Sequence, residues 1–143
     1  MPNDISIREL TIDEIRGIYP FAKQLNPDMS GPRFGQLIEQ MLGDGYRCSG
    51  AYDGDELIGI CGFWMRSQFF CGRHIEPDNL VLKNSYRSQG ICRMLIDWVE
   101  HFGKEEGCET GWLKTYVGNT DSHKFYYNAG YKMVGLGFMK ELA

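Results

Sequence analysis

Asn79-Leu80-Val81-Leu82-Lys83-Asn84-Ser85-Tyr86-Arg87-Ser88-Gln89-Gly90-Ile91-Cys92-Arg93 runs from a short apolar segment through polar residues to Arg-x-x-Gly, then into an amphipathic stretch. From Ile91 the apolar residues Ile91, Met94, Leu95, Trp98, Val99 and Phe102 recur at spacings of three and four, which marks one face of a helix. The stretch reads as strand, loop, glycine, helix. A junction of this kind leaves backbone N–H groups and the positive end of the helix dipole at the helix start, where an anion can sit. Gly90 lets the backbone approach a ligand with no Cβ in the way, and Arg87 brings a charge suited to phosphate. A tight turn without a ligand has the same pattern, so the junction alone leaves both readings open.

The remaining 128 residues bound what the junction can belong to. A chain of 143 residues is the size of one ordinary domain, and a single domain over 1–143 is expected. Hydrophobic residues make up 43% and charged residues 24%, the balance of a globular protein. With 15 basic and 19 acidic residues the formal charge is −4, which argues against a general nucleic-acid binder and suits cationic small molecules. Cys48, Cys61, Cys71, Cys92 and Cys108 are odd in number, widely spread and without a Cys-x-x-Cys pair. Neither a disulfide framework nor a metal site is expected, and the thiols read as small buried hydrophobes in a reducing compartment. Met1-Pro2-Asn3-Asp4 lacks a charged-then-apolar signal, and no apolar run is long enough to cross a bilayer. A cytoplasmic location with no membrane partner is expected; a homodimer is left open.

Along the chain, Ile5, Ile7 and Leu10 suggest a first strand, and Thr11-Ile12-Asp13-Glu14 reads as a capping box. The helix that follows should be kinked or interrupted at Pro20. Ser30 is the expected N-cap of a second helix, with Pro32 in its first turn, ending at Gly43 or Gly45. Tyr46–Tyr52 and Leu57–Met65 form an expected hairpin around Asp53-Gly54-Asp55. Phe69-Phe70-Cys71-Gly72 is either a strand end or part of a substrate wall. His74–Leu82 is the next expected strand, with an irregularity at Pro77. After the Ile91 helix and its stop at Gly107, Trp112–Val117 should run parallel to the Leu80 strand, because a crossover helix connects them. Asn119-Thr120-Asp121 caps a short helix ending at Gly130, and Tyr131–Val134 and Phe138–Leu142 are two last expected strands. The expected order is β-α-α-β-β-β-α-β-α-β-β, an α/β fold with helices on both faces of a mixed sheet.

Two segments together carry a family resemblance. Arg87-Ser88-Gln89-Gly90-Ile91-Cys92 resembles the Arg/Gln-x-x-Gly-x-Gly/Ala acyl-CoA motif of the GNAT family of N-acetyltransferases. Asn119-Thr120-Asp121-Ser122-His123-Lys124-Phe125-Tyr126-Tyr127-Asn128-Ala129-Gly130-Tyr131 is similar to that family's later motif, an Asn before a helix with Phe-Tyr that ends in Gly-aromatic. The element order matches as well, so the resemblance covers nearly the whole chain and looks closest to small-molecule amine acetyltransferases. Two departures stand out. Cys92 replaces the usual Gly or Ala, and Lys114-Thr115-Tyr116 with Asn119 differ from the Asp-Ser-Gly and Arg typical of the closest small members, some of which act on small amines including aminoalkylphosphonates.

The resemblance implies acetyl transfer from acetyl-CoA to a primary amine by direct attack, with no metal. Backbone N–H groups of Ser88, Gln89, Gly90, Ile91, Cys92 and Arg93 would hold the pyrophosphate, with Arg87 nearby. Backbone groups of Leu80, Val81 and Leu82 would pair with the pantetheine arm as an added strand. The Leu82 N–H would stabilise the oxyanion. Asn119 and Tyr126 would complete the carrier site, with Tyr126 as general acid. A phenol, with an ordinary pKa of about 10, is protonated at neutral pH and can hand its proton to a leaving thiolate of about 8.5. Packing on the sheet is the alternative role for Tyr126. The base is Asp78, Glu76 or a water relay through one of them; solvated edge charge is the alternative for both. Phe63, Trp64, Phe69, Phe70, Trp112 and Tyr116 could wall an amine pocket or pack the core. Two rival readings remain: a non-catalytic acyl-CoA-binding regulatory module, and acetylation of a protein lysine or N-terminus. Nucleotide hydrolysis is excluded by the missing Gly-x-x-x-x-Gly-Lys-Ser/Thr, and dinucleotide binding by the position of Gly135-Leu136-Gly137, which no helix follows.

Overall fold

The computed structural model describes residues 4–143; Met1-Pro2-Asn3, read above for a targeting signal, lies outside the described residues. The described chain forms two compact units, one through Trp112 and one from Leu113 to Ala143.

The first unit opens with β1 (Ile5–Glu9) and α1 (Ile12–Arg16). The capping box is formed: Thr11 Oγ1 accepts from Glu14 N, and Glu14 Oε1 accepts from Thr11 N at 2.9 Å. Pro20 does more than kink a helix. It occupies the first turn of a separate helix, α2 (Tyr19–Leu25), where its missing N–H costs nothing. Ser30 caps α3 (Gly31–Gly43) by accepting from Arg33 N, as expected. Next come β2 (Arg47–Asp53), β3 (Glu56–Gln68) and β4 (Gly72–Leu82), all antiparallel. Phe69, Phe70 and Cys71 form the turn between β3 and β4. A short 3-10 turn (Asn84–Tyr86) then leads to α4 (Ile91–Glu105) and to β5 (Thr110–Gly111). The sheet order is β1-β2-β3-β4-β5, with β4 and β5 parallel.

Strand alternation divides the core. On one face Tyr46, Cys48, Ile60 and Val81 pack with Leu10, Ile15, Ile18, Phe21, Phe34 and Ile38 from the α1–α3 layer. On the other, Phe63 meets Trp98 and Phe102 of α4 at ring distances of 6.2 and 5.3 Å. Gly103 of α4 lets the helix approach Ile75, whose Cγ2 lies 2.6 Å from where a Cβ would be. Helices thus cover both faces of a mixed sheet. All five cysteines are free, with Cys48 and Cys61 buried in the sheet.

Three expectations are corrected. The irregularity of β4 is at Asn79, not Pro77: the register passes from Cys61↔Leu80 to Gly62↔Asp78, leaving Asn79 as an extra residue at φ 57°. Pro77 pairs regularly with Phe63 on the part of β4 beyond its last pair with β5, the edge-like setting that tolerates proline. The expected strand Trp112–Val117 is not formed. β5 lies earlier and contributes only the pairs His74↔Thr110 and Ile75↔Gly111, although it is parallel as the crossover requires. The second unit contains α5 (Thr120–Asn128), capped by Asn119 and followed by Gly130 at φ 97°. Tyr131–Val134 and Phe138–Leu142 form no strands: among the described residues, 131–143 carry no regular structure. A strand pattern without a partner strand has no ladder to join. Among the described residues no helix is long and apolar enough to cross a membrane.

Candidate active site

The bulge at Asn79 organises the candidate site residues of the first unit. Along a regular strand Glu76, Asp78 and Val81 could not share a face, because side chains alternate. The extra residue resets the parity, so Glu76 (opposite Trp64), Asp78 (opposite Gly62) and Val81 (opposite Ile60) all belong to the α1–α3 side. The left-handed backbone at Asn79 suits asparagine, and its Oδ1 accepts from Tyr46 Oη at 3.0 Å. Tyr46 is buried, so its phenol needs that partner, and burial pushes its pKa up, keeping it a donor. Its ring lies 5.0 Å from that of Trp64, whose Nε1 donates to Asp78 Oδ2 at 2.9 Å. Gly62 leaves the space the Tyr46 hydroxyl fills: a Cβ there would sit 1.9 Å from it.

Glu76 is buried beside His74, with Oε1 3.9 Å from Nε2; the other ring nitrogen faces Cys71 Sγ at 3.6 Å. Burial lowers the His74 pKa, aided by the charge of Arg66, so the imidazole is neutral near pH 7.

Past the bulge, hydrogen-bond phase decides which backbone groups are presented. Lys83 N donates to Ile58 O at 2.8 Å, which makes Gly59↔Leu82 a non-hydrogen-bonded pair and, by alternation, Cys61↔Leu80 another. The backbone groups of Leu80 and Leu82 therefore point away from β3, while those of Val81 point toward it. Gln24 Nε2 of α2 donates to Leu82 O at 2.9 Å, leaving the N–H as the outward group of Leu82. The β4–β5 contact has already ended at Ile75↔Gly111. Where Leu80 and Leu82 face outward, β4 has no pair with β5.

Eight residues separate Leu82 from the start of α4. Gly90 is its N-cap at φ 78°, no side chain caps the first turn, and the first intrahelical bond is Met94 N to Gly90 O. Among the described residues, nothing beyond its chain neighbours and its own helix lies within 4 Å of where a Gly90 Cβ would be, so the helix start is open there. Ser88, at φ 64°, turns the loop ahead of it; Arg87, Ser88, Gln89 and Arg93 are exposed and Ile91 is buried. Cys92 is partly buried, and burial raises its pKa against the opposing charge of Arg87. The arrangement supplies an anion with N–H donors and a helix dipole.

In the second unit, Asn119 Oδ1 accepts from Ser122 N at 3.2 Å, so its side chain is used as a helix cap. Tyr126 is half-buried in an aromatic cluster, 5.1 Å from Phe125 and 5.7 Å from Tyr131 by ring centroids. His123 Nε2 lies 2.9 Å from Tyr116 O, a local structural contact. Tyr127 is exposed.

The aromatic residues separate. Phe63 is buried under α4, Trp64 stands over Asp78, and Phe70 meets Trp112 edge-on at 5.9 Å. Phe69 and Tyr116 are exposed. Tyr46, Asn79 and Gln24 were missed in the sequence. The available signal was an asparagine, tolerant of left-handed backbone, two residues after a strand proline.

The model of the acetyltransferase (GNAT) family matches residues 11–131. This chain belongs to that family. It is an N-acetyltransferase of the GNAT fold. An uncharacterized N-acetyltransferase of Bacillus subtilis (strain 168), YhdJ, is 24% identical over 85% of this chain and 87% of its own. The aminoalkylphosphonate N-acetyltransferase of Salmonella typhimurium (strain LT2) is 31% identical over 88 residues, 61% of this chain and 57% of that protein. Among solved structures, the aminoglycoside N-acetyltransferase AAC(6')-Iy in complex with CoA superposes with a TM-score of 0.84 at 20% identity, covering 99% of this chain and 97% of the other.

Proposed function

We propose that this GNAT enzyme transfers the acetyl group of acetyl-CoA to the primary amine of a small molecule by direct attack. The observation that carries the reading is the outward-facing Leu80 and Leu82 backbone, beyond the end of the β4–β5 pairing and leading into an open helix start. An extended pantetheine arm can add to such an edge as a strand does, with its pyrophosphate at residues 88–93 and the Arg87 charge beside it. The fit is supported by the open space at the Gly90 Cβ position, where among the described residues nothing beyond its chain neighbours and its own helix lies within 4 Å. The partial burial of Cys92 leaves the approach to the backbone to Gly90.

In this reading the amine nitrogen forms its bond to the acetyl carbon as the carbon–sulfur bond breaks. The Leu82 N–H donates to the carbonyl oxygen as it gains charge. Asp78, partly exposed and oriented by Trp64, accepts the amine proton directly or through a water; Glu76 is a second carboxyl group on the same face. Trp64 gives the ammonium an aromatic neighbour. Tyr126 protonates the departing thiolate. Asn119 stands before the Tyr126 helix as its cap. The family match spans both units, which supports reading them as one acetyltransferase domain. A small amine is favoured by the activities named for the Salmonella relative and the aminoglycoside enzyme.

The test is a panel of primary amines (aminoalkylphosphonates, aminoglycosides, polyamines and amino sugars) incubated with acetyl-CoA, reading thiol release and acetylated product. Turnover of at least one small amine with equal thiol and product is expected. Tight CoA binding with no turnover of any small amine, but acetylation of a peptide lysine or N-terminus, would overturn the acceptor class.

A further inference from the structure

The segment from Lys83 to Gly90 links β4 to α4 and leads into the backbone that meets the pyrophosphate in the reading above. A linker that presents N–H groups to an anion binds best when its shape is fixed beforehand, because ordering it on binding weakens the grip. Two of its side chains reach back to the turn between β2 and β3. Tyr86 Oη donates to Asp53 Oδ2 at 2.6 Å, and Lys83 Nζ donates to Glu56 Oε2 at 2.8 Å.

The two ties are unequal. The Lys83 and Glu56 side chains are 43% and 55% exposed, and an ion pair in that setting contributes little. Tyr86 and Asp53 are half-buried, and a phenol bonded to a carboxylate is the stronger kind of hydrogen bond. That bond, with burial behind it, pushes the Tyr86 pKa up to about 12, so the phenol stays a donor at neutral pH. The turn it holds is itself fixed. Asp53 pairs with Ile5 of β1 and with Glu56 of β3, and Gly54 at φ 60° makes the reversal.

Tyr86 also stands at the place in the linker where a tie matters most. Its N–H closes the 3-10 turn onto Lys83 O, and the next residue is Arg87. Ser88 at φ 64° and Gly90 at φ 78° then swing the chain into α4. The phenol therefore sets where the anion-binding stretch begins. Asp53 has no attraction to offer a phosphate, since both are anionic, so its use to the carrier runs through Tyr86.

We propose that Tyr86 is a positioning residue for the carrier: through Asp53 it fastens the linker to the β2–β3 turn and so sets the affinity for the pyrophosphate end of CoA. The assignment rests on the placement of the pyrophosphate at residues 88–93. It gives the β2–β3 turn a part in carrier binding although the turn itself meets no phosphate.

Calorimetry on the full chain, with CoA and with pantetheine, which lacks the pyrophosphate and nucleotide, separates this role from general packing. Tyr86→Phe should raise the Kd for CoA by roughly 10-fold and leave that for pantetheine unchanged. With an amine that turns over, KM for acetyl-CoA should rise in step while kcat holds. Asp53→Ala should do the same, and the two substitutions together should do no more than either alone. The Asp53 variant carries the test if Tyr86→Phe does not fold. Unchanged CoA affinity in the folded variants would overturn the positioning role and leave the carrier reading standing. Equal losses for CoA and pantetheine would mark a packing role and overturn it too. A parent chain that binds CoA no more tightly than pantetheine would overturn the phosphate placement, and this inference with it.

Discussion

Asn79 is the residue on which the site's geometry turns, and two substitutions separate its two roles. Its left-handed backbone, φ 57°, costs a residue with a Cβ about 1–2 kcal/mol, and asparagine is among the side chains that tolerate it. Its carboxamide also satisfies the buried Tyr46 hydroxyl, and leaving that donor unpaired costs about 1–3 kcal/mol. Asn79→Gly removes the hydrogen bond but keeps the backbone free, so it should destabilise by about 1–3 kcal/mol. Asn79→Ala loses both and should cost about 2–5 kcal/mol. The gap of about 1–2 kcal/mol corresponds to a Tm difference of roughly 3–8 °C for a chain of this size. Urea melts and thermal melts of the two variants and the parent, followed by circular dichroism, measure the two quantities in turn. Because the bulge sets the parity of Asp78 against Leu80 and Leu82, thiol release with a saturating amine should fall further in Asn79→Ala than in Asn79→Gly. Equal destabilisation of the two variants would refute the backbone argument. Full activity in an alanine variant that has lost stability as expected would refute the link between bulge and site.

Other perturbations reach other parts of the molecule. Tyr126→Phe should lower turnover by roughly 10²–10⁴-fold, the usual loss for a general acid, with CoA affinity from calorimetry nearly unchanged; an equal fall in both would mark a packing role. Gly90→Val puts a branched side chain at φ 78° where the open helix start now lies, and should raise the Kd for CoA by roughly 100-fold or more, about 2.7 kcal/mol; normal binding by a folded variant would mean the phosphates sit elsewhere. Burial holds the folded His74 pKa below its ordinary 6.5, so the unfolded chain takes up the proton first and stability drops as pH falls below 6.5. The drop is at most about 1.4 kcal/mol per pH unit from this group, and His74→Gln should flatten it in denaturant melts at pH 5–7; an unchanged slope would show that His74 is not its source.

The element types that depend on local pattern were legible from the residues. Three-and-four spacing marked α4, the Thr11–Glu14 capping box and the Ser30 cap marked helix starts, and the crossover helix required β5 to run parallel to β4. The stretch from Asn79 to Arg93 already contained the strand end, the glycine and the helix start, because each depends on neighbours in sequence; that the helix start is open depends on what packs around Gly90. Pairing was different. Which residue of β4 is the extra one, and therefore which side chains share a face, depends on the register against β3, and the sequence hint at Pro77 was two residues off. The outward direction of the Leu80 and Leu82 backbone followed only from one long-range hydrogen bond, Lys83 to Ile58. The last segments carry strand patterns in Tyr131–Val134 and Phe138–Leu142 but form no strand, since alternation selects faces and cannot supply a partner. Local chemistry settles what an element can be; only the tertiary pairing of distant backbones settles which groups remain for a ligand to meet.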